Sequence, residues 1–198
     1  MSLTQYLQTN GFTNFEGFTQ QEPRQVSLLQ QIVNNNKCKN IMEIGFNAGH
    51  SSEIFLEMNE NITVTSFDLG VHDYLSFGKK YLDETYENRH TLILGDSTVS
   101  VPEFIENNET KQTFDLIFID GGHDYEIAKA DLWNCKQLAN PKTVVVLDDT
   151  IYRPDWTAQW TIGPTQVWTE ALQSGFITEI ARYDFGSGKG MSWGRYVM

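Results

Sequence analysis

Cysteine is nearly absent from this 198-residue chain, which has only Cys38 and Cys135. The two form no metal-ligand spacing and cannot build the framework of a disulfide-stapled secreted domain. Two reduced thiols of a cytosolic protein are expected. Long apolar runs are missing as well. None approaches the roughly 20 residues that span a bilayer, and Met1 to Gln5 lack the basic-then-apolar order of a signal peptide. A cytoplasmic location without a membrane partner follows as the expectation. Basic residues are also scarce, with 14 Lys and Arg against 26 Asp and Glu and a net charge of −12. No basic cluster exceeds a pair such as Lys79-Lys80. So acidic a surface repels phosphate backbones, which disfavours nucleic acid as a substrate.

What is present suits one soluble α/β domain. At this length, with 40% hydrophobic residues, the chain can bury a core without staples. There are no repeats, low-complexity tracts or linkers. Short apolar runs at Asn40–Ile44, Ile62–Asp68, Thr91–Leu94, Phe114–Ile119 and Thr143–Leu147 read as strands buried on both faces. Helices are predicted between them at Ser51–Asn59, Asp73–Tyr86, Thr98–Asn107 and Tyr125–Leu138. Pro23–Asn35 precedes them, with Val26, Leu29, Ile32 and Val33 at helical spacing. Thr150–Gly163 reads as a loop and Pro164–Ser174 as a helix. Phe176–Tyr183 and Met191–Val197 read as an antiparallel pair of strands. The single domain 1–198 thus divides into a helical lead-in (1–38), a cofactor-binding core (39–150) and an acceptor-side segment (151–198).

The first strand runs into Glu43-Ile44-Gly45-Phe46-Asn47-Ala48-Gly49-His50-Ser51. Glycines let such a loop approach a ligand, and the helix start beyond it offers free N–H groups. A dinucleotide site would carry G-x-G-x-x-G. This loop opens on an acid and is one residue longer between its glycines, which suits a ligand bearing an ammonium group. Asp68 closes the second strand, where a carboxylate can accept bonds from both ribose hydroxyls; capping the next helix is its alternative. Asp96 and Ser97 follow the third strand and could meet adenine, or cap the helix after it.

These blocks, with Phe114-Asp115-Leu116-Ile117-Phe118-Ile119-Asp120-Gly121-Gly122-His123 and Val146-Leu147-Asp148-Asp149, resemble the class I S-adenosylmethionine-dependent methyltransferases over roughly Lys39–Thr150. The nearest branch is small O-methyltransferases laid out like catechol O-methyltransferase and glycan- or natural-product-modifying enzymes. The resemblance implies a Rossmann-like, seven-stranded, mostly parallel sheet with the last strand antiparallel. It assigns Glu43, Gly45, Asn47, Gly49 and Ser51 to the methionine part of the cofactor, Asp68 to its ribose, and Asp96 with Ser97 to its adenine.

Asp120 ends the fourth strand and Asp148-Asp149 the fifth. Neighbouring strand ends lie about 5 Å apart, so three carboxylates meet beside the cofactor, which Asp120 is also expected to contact. Such crowding calls for a proton or a cation, and oxygen ligands suit Mg²⁺ or Ca²⁺, with Mn²⁺ a further candidate. Cation-dependent relatives carry metal ligands at positions matching Asp120, Asp148 and Asp149, although the third is commonly an amide. His123 stands where catechol-type relatives have a lysine base, and a neutral imidazole there could deprotonate a substrate hydroxyl. The alternative for His123 is a hydrogen bond within the Gly121-Gly122 turn. Trp156 and Trp160 either form an aromatic wall for the acceptor or pack their loop. Trp133, Trp168 and Trp193 are expected in the core, and His50, His72 and His90 as structural or surface residues.

The expected activity is cation-assisted O-methylation of a small-molecule or glycan hydroxyl, catalysed by His123 and Asp120, with a homodimer as the assembly to test. An NAD-dependent oxidoreductase and a non-catalytic cofactor- or sugar-binding module are the rival readings.

Overall fold

The computed structural model describes residues 1–155, 158–186 and 188–198. Seven strands form one sheet: β1 (Asn40–Ile44), β2 (Thr63–Asp68), β3 (His90–Leu94), β4 (Phe114–Ile119), β5 (Ala139–Leu147), β6 (Ile177–Gly186) and β7 (Lys189–Tyr196). Their order is β3-β2-β1-β4-β5-β7-β6. β1 to β5 pair in parallel, whereas β7 runs antiparallel to both β5 and β6. This is the Rossmann-like sheet the sequence implied.

Alternation along the strands divides the core between two helical layers. Ile41, Val64, Leu116, Phe118, Val144 and Val146 face one side. There they meet α2 (Pro23–Asn36), α3 (His50–Met58) and α4 (Leu75–Thr85). Met42, Phe67, Ile117, Ile119, Val145 and Leu147 face the other, packed by α5 (Ser97–Glu106), α6 (Tyr125–Cys135) and α7 (Ile162–Gln173). Each fully buried Leu, Ile or Phe contributes about 1.5–3 kcal/mol, so strand faces with no polar interruption hold the sheet central. Trp168 is buried in the second layer, while Trp133 and Trp193 are only partly buried.

Three elements differ from the sequence expectation. A short helix, α1 (Leu3–Thr9), opens the chain; Ser2 caps it through a reciprocal bond with Gln5, and Leu3 and Leu7 are buried. β5 starts at Ala139, and a register irregularity between Phe114 and Leu116 absorbs its extra residues. A 3₁₀ turn at Gln159–Thr161 leads directly into α7. Among the described residues, no helix is long and apolar enough to cross a membrane.

Candidate active site

β1 and β4 lie side by side, but their following crossovers lead to opposite ends of the sheet. Open α/β sheets bind ligands at such switch points, beyond the C-terminal strand ends. Here a cavity of about 700 Å³ opens at that edge, within the range of small-molecule sites.

The loop after β1 is built differently from what its sequence suggests. Glu43 is fully buried and does not line the cavity. Its carboxylate accepts hydrogen bonds from the hydroxyls of Ser51, Ser52 and Ser66. Burial raises its pKa, and the three hydroxyls draw it back. Glu43 therefore fastens the start of α3 to β1 and β2, and no oxygen is presented to a methionine ammonium. Ser51 spends its hydroxyl on Glu43, although it borders a small recess shared with Gly45, Asn47 and Asp120. Gly49 does not line the cavity. It has φ +92, and a Cβ there would meet the Phe46 ring at 2.8 Å. Gly45 does border the cavity, but its missing Cβ makes room for protein: a Cβ would lie 1.9 Å from the Asp120 carbonyl oxygen. Glu43 and Gly49 thus shape the loop and do not line the cavity.

Asn47, Asp68, Asp96 and Ser97 do line the cavity. Asn47 has φ +52, and its N–H donates to Asp68 Oδ2 at 2.7 Å. Gly70 N–H donates to Asp68 Oδ1, also at 2.7 Å. Asp68 caps no helix, since α4 begins only at Leu75. Held by two backbone donors, each of its oxygens keeps a lone pair for a ligand hydroxyl. Asn47 donates its side-chain amide to the carbonyls of Glu16 and Gly17, while its Oδ1 is buried without a partner. An unpaired buried acceptor costs about 1–3 kcal/mol, and a ligand ammonium would satisfy it. Asp96 caps α5 through Thr98 N–H at 2.9 Å, and Thr98 lowers its pKa through its hydroxyl and N–H. Asp96 both caps the helix and borders the cavity.

At the other end, β4 and β5 deliver the acidic group. Ile119 pairs with Leu147, so Asp120 and Asp148 follow from adjacent strand ends. Both carboxyls are pushed up, Asp120 by enclosure and then by Asp148 and Asp149, and Asp148 by burial and then by Asp149. Asp148 Oδ2 accepts from Gln25 Nε2 at 2.5 Å. Asp149 has φ +51, which turns its side chain to His123, 2.9 Å from Oδ2 to Nε2. One ligand atom each from Asp120, His123 and Asp149 lie within 4.8 Å of one another. Of the three residues expected to hold a metal, Asp120 and Asp149 fall in this group together with His123, while Asp148 lies outside it and bonds Gln25. His123 is not bonded within the Gly121-Gly122 turn; its bond to Asp149 raises its pKa against the opposing effect of burial.

A family model described as a methyltransferase domain matches residues 42–150, over half of the chain. The protein belongs to this methyltransferase family. Solved structures agree in fold. One is the O-methyltransferase from Bacillus cereus in complex with SAH, at 17% identity and TM-score 0.74, covering 98% of this chain and 88% of that one. Another is an O-methyltransferase of tomaymycin synthesis from Streptomyces achromogenes in complex with SAM, at 15% identity and TM-score 0.74, covering 99% and 88%. No curated protein matches the sequence. Membership in this family sets aside the oxidoreductase reading.

The cavity is also lined by residues that the sequence did not single out. Glu16 to Thr19 form a cavity wall, and Glu16 pairs with His72 at 2.8 Å. Gln21, Gln25 and Lys189 join them. Only the fold reveals these residues, since they come from the lead-in and from the β6–β7 hairpin. Trp160 lines the cavity and is 46% exposed, whereas Trp156 lies outside the described residues. His50 and His90 are buried, as expected of structural residues.

Proposed function

We propose that this methyltransferase moves the methyl group of S-adenosylmethionine to a hydroxyl oxygen of a small-molecule or glycan acceptor, with a divalent cation at Asp120 and Asp149. The observation that carries this reading is the convergence of Asp120, His123 and Asp149 at one end of a cavity whose other end offers Asp68, Asp96 and Ser97. Two fold neighbours, both O-methyltransferases, were solved with SAH and SAM. On this reading, Asp68 holds the ribose hydroxyls and Asn47 Oδ1 receives the ammonium.

A bound divalent cation would lower the pKa of a hydroxyl that coordinates it. Oxygen ligands from Asp120 and Asp149 would suit Mg²⁺ or Mn²⁺ and would leave the His123 imidazole free to act as a base. His123 accepts the hydroxyl proton through its imidazole, and Asp149 stabilises the imidazolium that results. The hydroxyl oxygen forms a bond to the methyl carbon as that carbon's bond to sulfur breaks, leaving a neutral thioether.

Calorimetry with Mn²⁺ on the SAH-saturated protein tests the cation site. Asp149→Asn should weaken Mn²⁺ by tenfold or more, and Asp148→Asn by less, since Gln25 already engages that carboxylate. EDTA should suppress methyl transfer to a panel of hydroxylated acceptors. His123→Ala should reduce turnover by about 10²–10⁴-fold with SAH binding preserved. Full activity in EDTA would remove the cation, and an unimpaired His123→Ala protein would remove the base.

A further inference from the structure

Lys189 is the one lysine or arginine among the described residues that line the cavity. It bonds Gln21, and the residue before it, Gly188, lies against Trp160. Lys189 acts through space on Asp120, drawing its carboxyl pKa down against enclosure, but makes no direct ion pair with it; two further acids around it are already engaged. Glu22 is gripped by Arg24, through Nε at 2.7 Å and Nη2 at 2.8 Å. Asp184, across the hairpin from Gly190, pairs with Arg153. What Lys189 Nζ touches instead is a neutral acceptor, the Gln21 side-chain carbonyl, at 3.2 Å.

The lysine is also held in place. Its neighbour Gly188 has φ +82, and a Cβ there would sit 2.1 Å from Ala158 Cβ and 3.4 Å from the Trp160 ring. On the other side, Gly190 carbonyl accepts from Thr150 N–H at 3.0 Å. The hairpin is therefore pressed between the segment before α7 and the loop that follows Asp149. An ammonium group at a cavity wall that bonds a neutral acceptor and makes no direct ion pair among the described residues can recognise an anion, because a charged partner strengthens a hydrogen bond roughly twofold over a neutral one.

We infer that Lys189, beside Trp160 and Gln21, binds an acidic group of the methyl acceptor, so that the substrate is a hydroxylated molecule carrying a carboxylate or phosphate away from its reacting hydroxyl. This rests on the methyltransferase reading of the cavity. The cofactor's own carboxylate is the other source of the same chemistry. The acceptor is favoured because the recess around Gly45, Asn47 and Ser51 does not include Lys189.

The test is calorimetry on the SAH-saturated protein with Mn²⁺ present, using 3,4-dihydroxybenzoate and its neutral primary amide as probes of equal shape. The wild type should bind the acid about tenfold more tightly than the amide. Lys189→Met should bring the two within twofold, and Lys189→Arg should retain the preference, with SAH affinity unchanged in both variants. A wild type that binds the two probes equally, or binds neither, overturns the inference, as does a Lys189→Met protein that keeps the preference. If Lys189→Met weakens SAH tenfold instead, the lysine holds the cofactor and the acceptor assignment falls. If it tightens Mn²⁺ without altering the preference, the lysine merely offsets the nearby acids. Failure of SAH to bind the wild type at all would overturn the methyltransferase reading itself, a separate and recognisable result.

Discussion

Asp131 shows what a single residue costs in this fold. It lies on α6, fully buried, and neither carboxylate oxygen makes a well-formed hydrogen bond. Burial raises its pKa to about 6, with Ser97 close enough only to moderate the shift. Because the folded-state pKa exceeds the ordinary 3.8, the native protein binds the proton more tightly than the unfolded chain does. Stability is therefore highest below about pH 4 as far as Asp131 is concerned, and it is lost as pH rises to about 6. Two pKa units correspond to roughly 3 kcal/mol. Asp131→Asn cannot ionise, so its stability relative to wild type should improve by about 2–3 kcal/mol between pH 4 and pH 8. Urea midpoints at the two pH values measure this, and a constant difference would show that Asp131 is neutralised by a partner. Glu43 solves the same problem differently, by placing three serine hydroxyls around its carboxylate.

Among the elements, the lead-in carries more of the site than its sequence suggests. Glu53 on α3 is 1% exposed; its Oε1 accepts from Leu3 N–H and its Oε2 from Gln20 Nε2, both at 2.8 Å. Residues 3 to 20 are thereby tied to the helix that starts beside the cofactor loop, with Asn47 gripping Glu16 and Gly17 between those two anchors. Glu53→Ala would free both donors and loosen that wall. Amide exchange across residues 3–20 should accelerate at least tenfold while the strands stay protected, and SAH should bind three- to tenfold more weakly. Unchanged exchange would mean that packing of Leu3 and Leu7 alone holds the segment. The central strands were legible because both faces are apolar, as in Val144-Val145-Val146-Leu147. α1 was not, since two leucines four apart in seven polar-rich residues make too short a periodic signal. In the cavity, the places of Asp68 and Asp120 were legible from the strand ends they follow. The hydrogen-bond partners of Glu43 and His123 were not: one set depends on serines from α3 and β2, the other on a left-handed backbone at Asp149 that no pattern announces.

At the scale of the whole molecule, a net charge of −12 acts on everything that approaches the cavity. The field gathers cations and resists anions, so the cation and the acidic acceptor inferred above arrive under opposite influences. Salt separates the long-range effect from the local contacts. Raising ionic strength from 10 to 150 mM shortens the screening length from about 30 Å to about 8 Å. That removes the influence of distant surface acids while leaving close pairs, such as His123 with Asp149, largely intact. Mn²⁺ affinity should therefore fall several-fold over this range and then level off at a residual value set by Asp120 and Asp149. The association rate of 3,4-dihydroxybenzoate should rise over the same range as repulsion is screened, with little change in its dissociation rate, which reflects contact with Lys189. The amide probe, being neutral, should respond in neither rate. Stopped-flow measurements on the SAH- and Mn²⁺-saturated protein can follow both probes. If the acid instead associates more slowly as salt rises, the local field of the cavity mouth is positive despite the acidic surface, and Lys189 governs approach as well as binding.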